Sequence, residues 1–212
     1  MTLAAKLAFI FFSMILVNNY VFSKFLGFIY FGEASQKPGS SLRMGLAITA
    51  VMVAGTAITW PLYAFLLQPF GLAYLNTLVF VIVIVLLVQL ASLLLRRFAA
   101  PLYQRLGNFF SLIIANCAVL GVALLAVAAP GTVGGNTATA YTYPEALVYA
   151  LGAGLGLTVA SLLFAGLQRK LQMARPPKAF RGMPLTLVAA AIASLCFMGF
   201  GGVLESLFGV AA

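Results

Sequence analysis

The residues with the clearest chemical potential in this chain are Asn116 and Cys117, a polar pair within the apolar run Leu112–Leu125. A thiolate can ligate iron, and polar groups buried in a bilayer are costly and rarely idle. A second polar break, Asn18-Asn19, interrupts the first apolar run. Aligning Asn18 with Asn116 gives both runs the pattern apolar-apolar-Asn-x-x-Val. We therefore expect the two breaks to be related and to form the functional region.

The composition is that of an α-helical membrane protein, because 64% of the 212 residues are hydrophobic and 7% are charged. Soluble domains carry about a quarter charged residues. Continuous apolar runs such as Val79–Val88 do not alternate as the strands of an outer-membrane barrel do. The net charge of +9 comes from short basic clusters between apolar runs, which argues against nucleic-acid binding. Since His and Asp are absent, a Ser-His-Asp triad and a His-based metal site are excluded.

Six apolar segments each reach the roughly 20 residues that span a bilayer. The first is interpreted as a helix broken at Asn18-Asn19 rather than a signal peptide, because it continues mostly apolar to Phe31 without a clear cleavage site. We expect all six to be transmembrane helices. They cover about residues 7–31, 44–68, 72–95, 102–128, 145–168 and 183–205.

The loops between these segments predict the orientation of the chain. The basic loop residues all fall in loops one, three and five, whereas loops two and four contain none. The positive-inside rule then places the odd loops in the cytoplasm and both termini outside, on the periplasmic face of a bacterial inner membrane. These basic residues are Lys37, Arg43, Arg96, Arg97, Arg105, Arg169, Lys170, Arg175, Lys178 and Arg181.

We expect one membrane domain, residues 1–212, built from two repeats at 1–97 and 98–212. Each repeat would have three crossings, and an odd number of crossings makes duplicated halves enter the membrane from opposite sides. The fold class is thus all-α, with six transmembrane helices in an inverted 3+3 repeat whose helices one and four are broken. Such folds place paired broken helices near the midplane, at the site.

Several residues have two interpretations. Asn18, Asn19 and Asn116 either link helices by hydrogen bonds or satisfy backbone groups freed by the breaks. Lys24 either snorkels toward the cytoplasmic headgroups or acts electrostatically beside an anionic cofactor or an ion path.

Other polar or small residues have simpler explanations. Glu145 is interpreted as a solvated carboxylate at a helix end, and Cys196 as a packing residue. Both cysteines are expected to be buried free thiols. The glycines of Gly152–Gly156 are expected to serve close helix packing rather than phosphate binding, because no strand precedes them.

Five stretches, in order, closely resemble the A subunits of the Rnf-type ion-translocating ferredoxin:NAD oxidoreductases. This family is related to the E subunits of the sodium-translocating NADH:quinone reductases. The stretches are Leu16-Val17-Asn18-Asn19, Lys24-Phe25-Leu26-Gly27, Asn116–Leu125, Phe180-Arg181-Gly182 and Phe197-Met198-Gly199-Phe200.

The resemblance implies an intramembrane electron-transfer protein that has no activity alone. It would share a [2Fe–2S] cluster with a homologous six-helix partner, each of the two giving two cysteines, and would assemble with flavin and iron-sulfur subunits in the lipid bilayer. Cys117 matches the second cysteine and is the expected metal ligand, with Asn116, Asn18, Asn19 and Lys24 around the cofactor. The first cysteine is replaced by Ile29, which cannot ligate iron. The cluster is then absent, altered or completed by another ligand.

Two other functions remain open from the sequence. An inverted repeat with broken helices is also the architecture of secondary transporters, which bind substrate at the midplane without redox chemistry. The chain could also be a scaffold subunit within a redox complex. An iron signal separates electron transfer from both alternatives.

Overall fold

The computed structural model describes residues 3–24, 26, 38–98, 116–128, 141–173 and 183–200, and the regular elements in these ranges are all helical. A π-helical turn, Tyr63–Leu67, and a short 3-10 turn, Ala73–Leu75, join the third and fourth α-helices. The prediction of an all-α chain is confirmed. The α-helices are α1 (Leu3–Leu16), α2 (Tyr20–Lys24), α3 (Pro38–Leu62), α4 (Asn76–Phe98), α5 (Cys117–Ala128), α6 (Tyr143–Met173) and α7 (Met183–Met198).

Three of the described helical stretches are long and apolar enough to cross a membrane, and three shorter helices are also apolar. Each of the six predicted segments overlaps one of these stretches. Two of the shorter helices, in α1 and α5, belong to the segments predicted to be broken; residues 99–115, which precede the second break, lie outside the described part. The long stretches are Ser41–Leu67, Asn76–Leu94 and Tyr143–Leu171, and the shorter ones Lys6–Leu16, Cys117–Val127 and Pro184–Met198.

Helix α6 is the centre of the described bundle. It packs most extensively against α3 and α1, and it also contacts α2, α5 and α7. Helix α4 lies at the periphery, where it packs on α3 and α5. One face of α4 is buried through Phe80, Ile84 and Val88, whereas Leu86 and Leu90 are exposed. This exposure of large apolar side chains is what a bilayer-facing helix requires.

Helices α3 and α6 cross through reciprocal pairs of glycine and threonine. A Cβ added to Gly45 would lie 2.6 Å from Thr158 Oγ1, and a Cβ added to Gly154 would lie 2.6 Å from Thr49 Cγ2. Each threonine hydroxyl donates to the carbonyl of the glycine four residues earlier in its own helix, at 2.8 Å for Thr49 and 2.9 Å for Thr158. The two backbones approach closely only because both positions lack side chains.

The contacts of α6 fix the relative directions of three helices, and these directions are consistent with the predicted topology. The pairing of Gly45 with Thr158 and of Gly154 with Thr49 makes α3 antiparallel to α6. Helix α1 is parallel to α6, because its Lys6 pairs with Glu145 and its Met14 contacts Gly152. The described basic loop residues consequently lie at the opposite end of the bundle from Lys6 and Glu145. Which end faces the cytoplasm stays a prediction.

Gly152 and Gly156 allow α1 to pack closely against a second face of α6. A Cβ at Gly152 would lie 3.0 Å from the carbonyl oxygen of Phe11, and one at Gly156 would lie 2.9 Å from that of Met14. Because Gly154 faces α3, the run Gly152–Gly156 lets both α1 and α3 pack closely against α6. The prediction that these glycines pack helices together is confirmed.

Candidate functional site

The break in the first segment is organised by the buried side chain of Asn19. Helix α1 ends at Leu16 and α2 begins at Tyr20. The Asn19 Oδ1 accepts the backbone N–H of Val21 at 3.1 Å, which caps α2. Its Nδ2 donates to the carbonyl of Ile15 at 3.2 Å and to that of Gly156, in α6, at 2.8 Å. One carboxamide therefore satisfies both helix ends and ties the break to the central helix.

The break in the fourth segment has the same capping geometry at Asn116. The Asn116 Oδ1 accepts the backbone N–H of Ala118 at 3.0 Å, and α5 begins at Cys117. The Nδ2 group of Asn116 is buried and has no hydrogen-bond partner among the described residues. A buried donor without a partner is uncommon in folded proteins and calls for an explanation.

These geometries correct the alignment of the two breaks by one residue. The residue equivalent to Asn116 is Asn19, because each caps the helix that starts at the next position. Asn18 instead donates to the Ser13 hydroxyl at 3.1 Å, within the turn that ends α1. The alignment of Asn18 with Asn116 was wrong because two adjacent asparagines offer two registers, and only the backbone path decides between them. Asn19 has both of the roles considered from the sequence. It links two helices through its bond to Gly156, and it satisfies backbone groups that the break leaves without partners.

Both cysteines are exposed, in contrast to the expectation that they are buried. Cys117 is the first residue of α5, and Cys196 lies in the last turn of α7. Cys196 lines an apolar groove of about 450 Å³ together with Phe22 and Phe197. Hydropathy indicated that these thiols lie at membrane depth, but the described bundle leaves both on its surface, where lipid or another protein can reach them.

The two broken segments meet through Tyr20 and Gly121. A Cβ added to Gly121 would lie 3.0 Å from Leu26 Cδ1 and 4.0 Å from Tyr20 Cε1. Gly121 is about one helical turn beyond Cys117. Gly121, in the helix that begins at the second break, thus packs against Tyr20, the first residue of the helix that begins at the first break.

Lys24 is exposed at the end of α2, and its ammonium lies 5.3 Å from the centroid of the Tyr20 ring. This distance is within the range of a cation–π contact. The contact keeps the positive charge close to the break. The structure thus places Asn19 and Lys24 at the first break and Asn116 and Cys117 at the second, while Asn18 stays in its local turn.

Sequence reasoning missed a row of buried tyrosines that starts at Tyr20. The hydroxyls of Tyr20 and Tyr149 share a hydrogen bond, and the rings of Tyr149 and Tyr141 lie 5.1 Å apart. All three side chains are buried. The available signal was the spacing Tyr141-x-x-x-Glu145-x-x-x-Tyr149, since residues four apart share one face of a helix.

Glu145 is also placed differently from the expectation of a solvated carboxylate. Only 4% of its surface is exposed, and its Oε1 lies 2.8 Å from Lys6 Nζ. Its Oε2 accepts the backbone N–H of Thr142 at 3.0 Å, which caps α6. Burial, and secondarily the Glu145 carboxylate, raise the pKa of the neighbouring Tyr141 hydroxyl. The carboxylate is buried because α1 packs over the start of α6 and supplies the lysine.

The donor set does not fit a [2Fe–2S] cluster with two cysteines from this chain. Residue 29, the expected position of the first ligand, is isoleucine and lies outside the described residues. The other cysteine of this chain, Cys196, lines the apolar groove together with Phe22 and Phe197. Cys117 is not among the residues that line this groove. No group of three or more His, Cys, Asp or Glu side chains suited to a metal occurs in the described ranges.

Comparison with known proteins gives matches along nearly the whole chain. Residues 7–204 match the Rnf-Nqr family, described as "Rnf-Nqr subunit, membrane protein". The A subunit of the ion-translocating oxidoreductase complex of Syntrophotalea carbinolica is 43% identical over 188 residues, which cover 89% of this chain and 92% of that protein. The A subunit of the Na(+)-translocating ferredoxin:NAD(+) oxidoreductase complex of Acetobacterium woodii is 39% identical over 196 residues, covering 92% and 97% respectively.

A third relative extends the same pattern. The A subunit of the ion-translocating oxidoreductase complex of Edwardsiella ictaluri is 40% identical over 191 residues, covering 90% of this chain and 94% of that protein. The matches therefore span essentially the full length of these relatives.

Proposed function

This chain belongs to the Rnf-Nqr family of membrane subunits, and we propose that it is the A subunit of a bacterial ion-translocating ferredoxin:NAD oxidoreductase. In that complex it helps electrons cross the inner membrane, and the complex couples this transfer to the movement of Na⁺ or H⁺. Support comes from relatives whose names describe the A subunit of such complexes and which this chain matches over about nine tenths of its length.

The observation that carries the electron-transfer role is the environment of Cys117. Its thiol is exposed at the start of α5, directly after a buried carboxamide whose Nδ2 has no partner in the described part of the chain. A neighbouring subunit that covers this position could supply both a second thiol and a hydrogen-bond acceptor. The exposed Lys24 ammonium lies over the Tyr20 ring at the first break. A positive charge there would favour a reduced, anionic group bound close to it.

If an iron-sulfur cluster is bound here, Cys117 is the one ligand that this chain is placed to give. A homologous partner with two cysteines would bring the number of thiolates to three. The fourth ligand would then be a different group, since His is absent from the chain and position 29 is isoleucine. The role of this chain's own residues is to hold Cys117 rigidly, through the Asn116 cap, at the surface that the partner covers.

We also infer that residues 1–97 and 98–212 are inverted copies of one three-helix unit. Two features support this. Asn19 and Asn116 cap their helices with the same bond, and the crossing of α3 with α6 uses the related sequences Gly45–Thr49 and Gly154–Thr158 reciprocally. Antiparallel pairing of like sequences is what a two-fold axis in the membrane plane produces.

The test is electron paramagnetic resonance with iron and sulfide analysis on the purified, dithionite-reduced complex, compared with its Cys117→Ser and Cys196→Ser variants. We expect Cys117→Ser to abolish ferredoxin:NAD oxidoreduction while the complex remains assembled, and any [2Fe–2S] signal to disappear with it. Cys196→Ser is the matched control, because it removes the other exposed thiol and should retain activity.

Unchanged oxidoreduction in the Cys117→Ser complex would contradict the electron-transfer role. Together with the absence of an iron signal assignable to this chain, that result would favour a scaffold. Failure of the chain to co-purify with flavin and iron-sulfur subunits would favour a redox-free transporter.

A further inference from the structure

Four buried titratable groups away from Cys117 lie in a row. It begins at one end of the bundle with Glu145, which is paired with Lys6, and continues through Tyr141 and Tyr149. It ends at Tyr20, whose hydroxyl is hydrogen-bonded to that of Tyr149. Trp60 closes the outer end by donating its Nε1–H to the Tyr141 carbonyl at 2.9 Å.

The row runs inward from the end of the bundle. Glu145 and Tyr149 are four positions apart in α6, which corresponds to about 6 Å at 1.5 Å per residue. The Tyr20 hydroxyl lies at the level of Tyr149, because the two hydroxyls share a hydrogen bond. The backbone of Tyr20 belongs to the break, since the adjacent Asn19 donates to the Gly156 carbonyl. The row therefore joins the bundle end that holds Lys6 to the first helical residue after the break.

Packing alone does not explain hydroxyls at these positions. Tyr20, Tyr149 and Tyr141 are 1%, 4% and 7% exposed, so phenylalanine would fill the same volume without placing oxygen atoms in an apolar interior. A buried carboxylate at a helix end, four residues from two of these tyrosines, adds a proton-binding group at the outer end. Chains of ionisable residues inside membrane segments are typical of proton relays.

We propose that Glu145, Tyr141, Tyr149 and Tyr20 form a proton half-path between the bundle end that holds Lys6 and the break in the first segment. This inference rests on the proposed function, whose redox reaction supplies the driving force. In each hop, the Tyr149 oxygen gains a proton from the Tyr141 side and releases its own proton to the Tyr20 oxygen. The Tyr20 oxygen in turn releases its own proton to a water molecule at the break, so each O–H bond that forms is matched by one that breaks. The Tyr141 and Tyr149 rings lie 5.1 Å apart, and in this proposal bridging water carries the proton between their hydroxyls. The charged groups along the row are Lys6, beside Glu145, and Lys24, over the Tyr20 ring.

The experiment uses the complete complex reconstituted in lipid vesicles in Na⁺-free medium. Electron transfer from reduced ferredoxin to NAD⁺ is followed by absorbance, and proton movement by a pH-sensitive dye inside the vesicles. Tyr149→Phe and Tyr20→Phe each remove one hydroxyl and keep the ring. We expect both variants to lower the number of protons moved per NAD⁺ reduced by at least fivefold. Tyr74→Phe is the matched control, because Tyr74 is largely exposed between α3 and α4, and it should leave the ratio unchanged.

An unchanged ratio in both Tyr149→Phe and Tyr20→Phe would overturn the proton path, and so would a parallel fall in both rates with the ratio preserved. An unmodified complex that transfers electrons without proton movement in Na⁺-free medium, but moves Na⁺ when Na⁺ is added, would also overturn it while leaving the proposed function intact. A complex without ferredoxin:NAD oxidoreduction would refute the proposed function itself.

Discussion

The two capping asparagines perform the same local task in different surroundings. Asn19 uses both ends of its carboxamide, so the break in the first segment is closed within the chain. Asn116 uses its oxygen only, and its buried Nδ2 has no acceptor in the described part of the chain. Because an unpaired buried donor costs about 1–3 kcal/mol, this difference distinguishes the two breaks energetically.

Replacing Asn19 by alanine should destabilise the protein, whereas replacing Asn18 should have little effect. Asn19→Ala removes a helix cap and a hydrogen bond between helices, which together contribute about 1.5–3 kcal/mol. Asn18→Ala removes a partly exposed bond within one turn and should cost less than about 0.5 kcal/mol. The measurement is the thermal stability of the detergent-solubilised complex by size-exclusion chromatography. Equal losses for the two variants would contradict the assignment of the cap to Asn19.

At the scale of helices, the α3–α6 crossing fixes the architecture. Its two threonines bond within their own helices, and their hydroxyls lie 3.4 Å apart. Because each threonine hydroxyl is hydrogen-bonded within its own helix, the two helices can pack closely without leaving a hydroxyl unpaired. Close packing inside a membrane requires this. Helices without such small residues on a facing stripe, such as α4, remain at the periphery.

Gly154→Ala should weaken this crossing, and Gly166→Ala in the same helix should not. The added Cβ at residue 154 would lie 2.6 Å from Thr49 Cγ2, so the helices must separate, at a cost of about 1–3 kcal/mol. A Cβ at residue 166 meets no described atom within 4 Å, and alanine is the better helix former by about 1 kcal/mol. Thermal stability of the assembled complex measures both. A neutral Gly154→Ala would indicate that the crossing is looser than described.

For the whole molecule, the directions of the helices place most of the described basic residues at one end of the bundle. The antiparallel α3 and α6 bring Arg43 to the same end as Arg169 and Lys170, and α4 returns Arg96 and Arg97 to that end. Lys6, neutralised by Glu145, is at the other end. The described bundle is thus strongly basic at one end only, the asymmetry on which membrane orientation depends.

A topology measurement should find the basic end in the cytoplasm. In a Cys117→Ser, Cys196→Ser background, a cysteine replacing Tyr74 should react with a membrane-impermeant maleimide in intact spheroplasts. A cysteine replacing Lys170 should react only in inside-out vesicles. The reverse pattern would show that the positive-inside prediction has the wrong orientation.

The sequence by itself determined the membrane class, the six segments, the two polar breaks and the family resemblance. These properties follow from local composition, because any stretch that crosses lipid must be apolar and must satisfy its own backbone. The packing role of Gly152–Gly156 was predictable for the same reason, since small residues in an apolar helix have few other uses.

Only the tertiary structure decided which asparagine caps each break, that Glu145 is buried, and that Tyr20 reaches Tyr149. Each of these depends on contacts between residues far apart in the chain, such as Asn19 with Gly156 and Lys6 with Glu145. Local sequence carries no information about which distant helix supplies the partner.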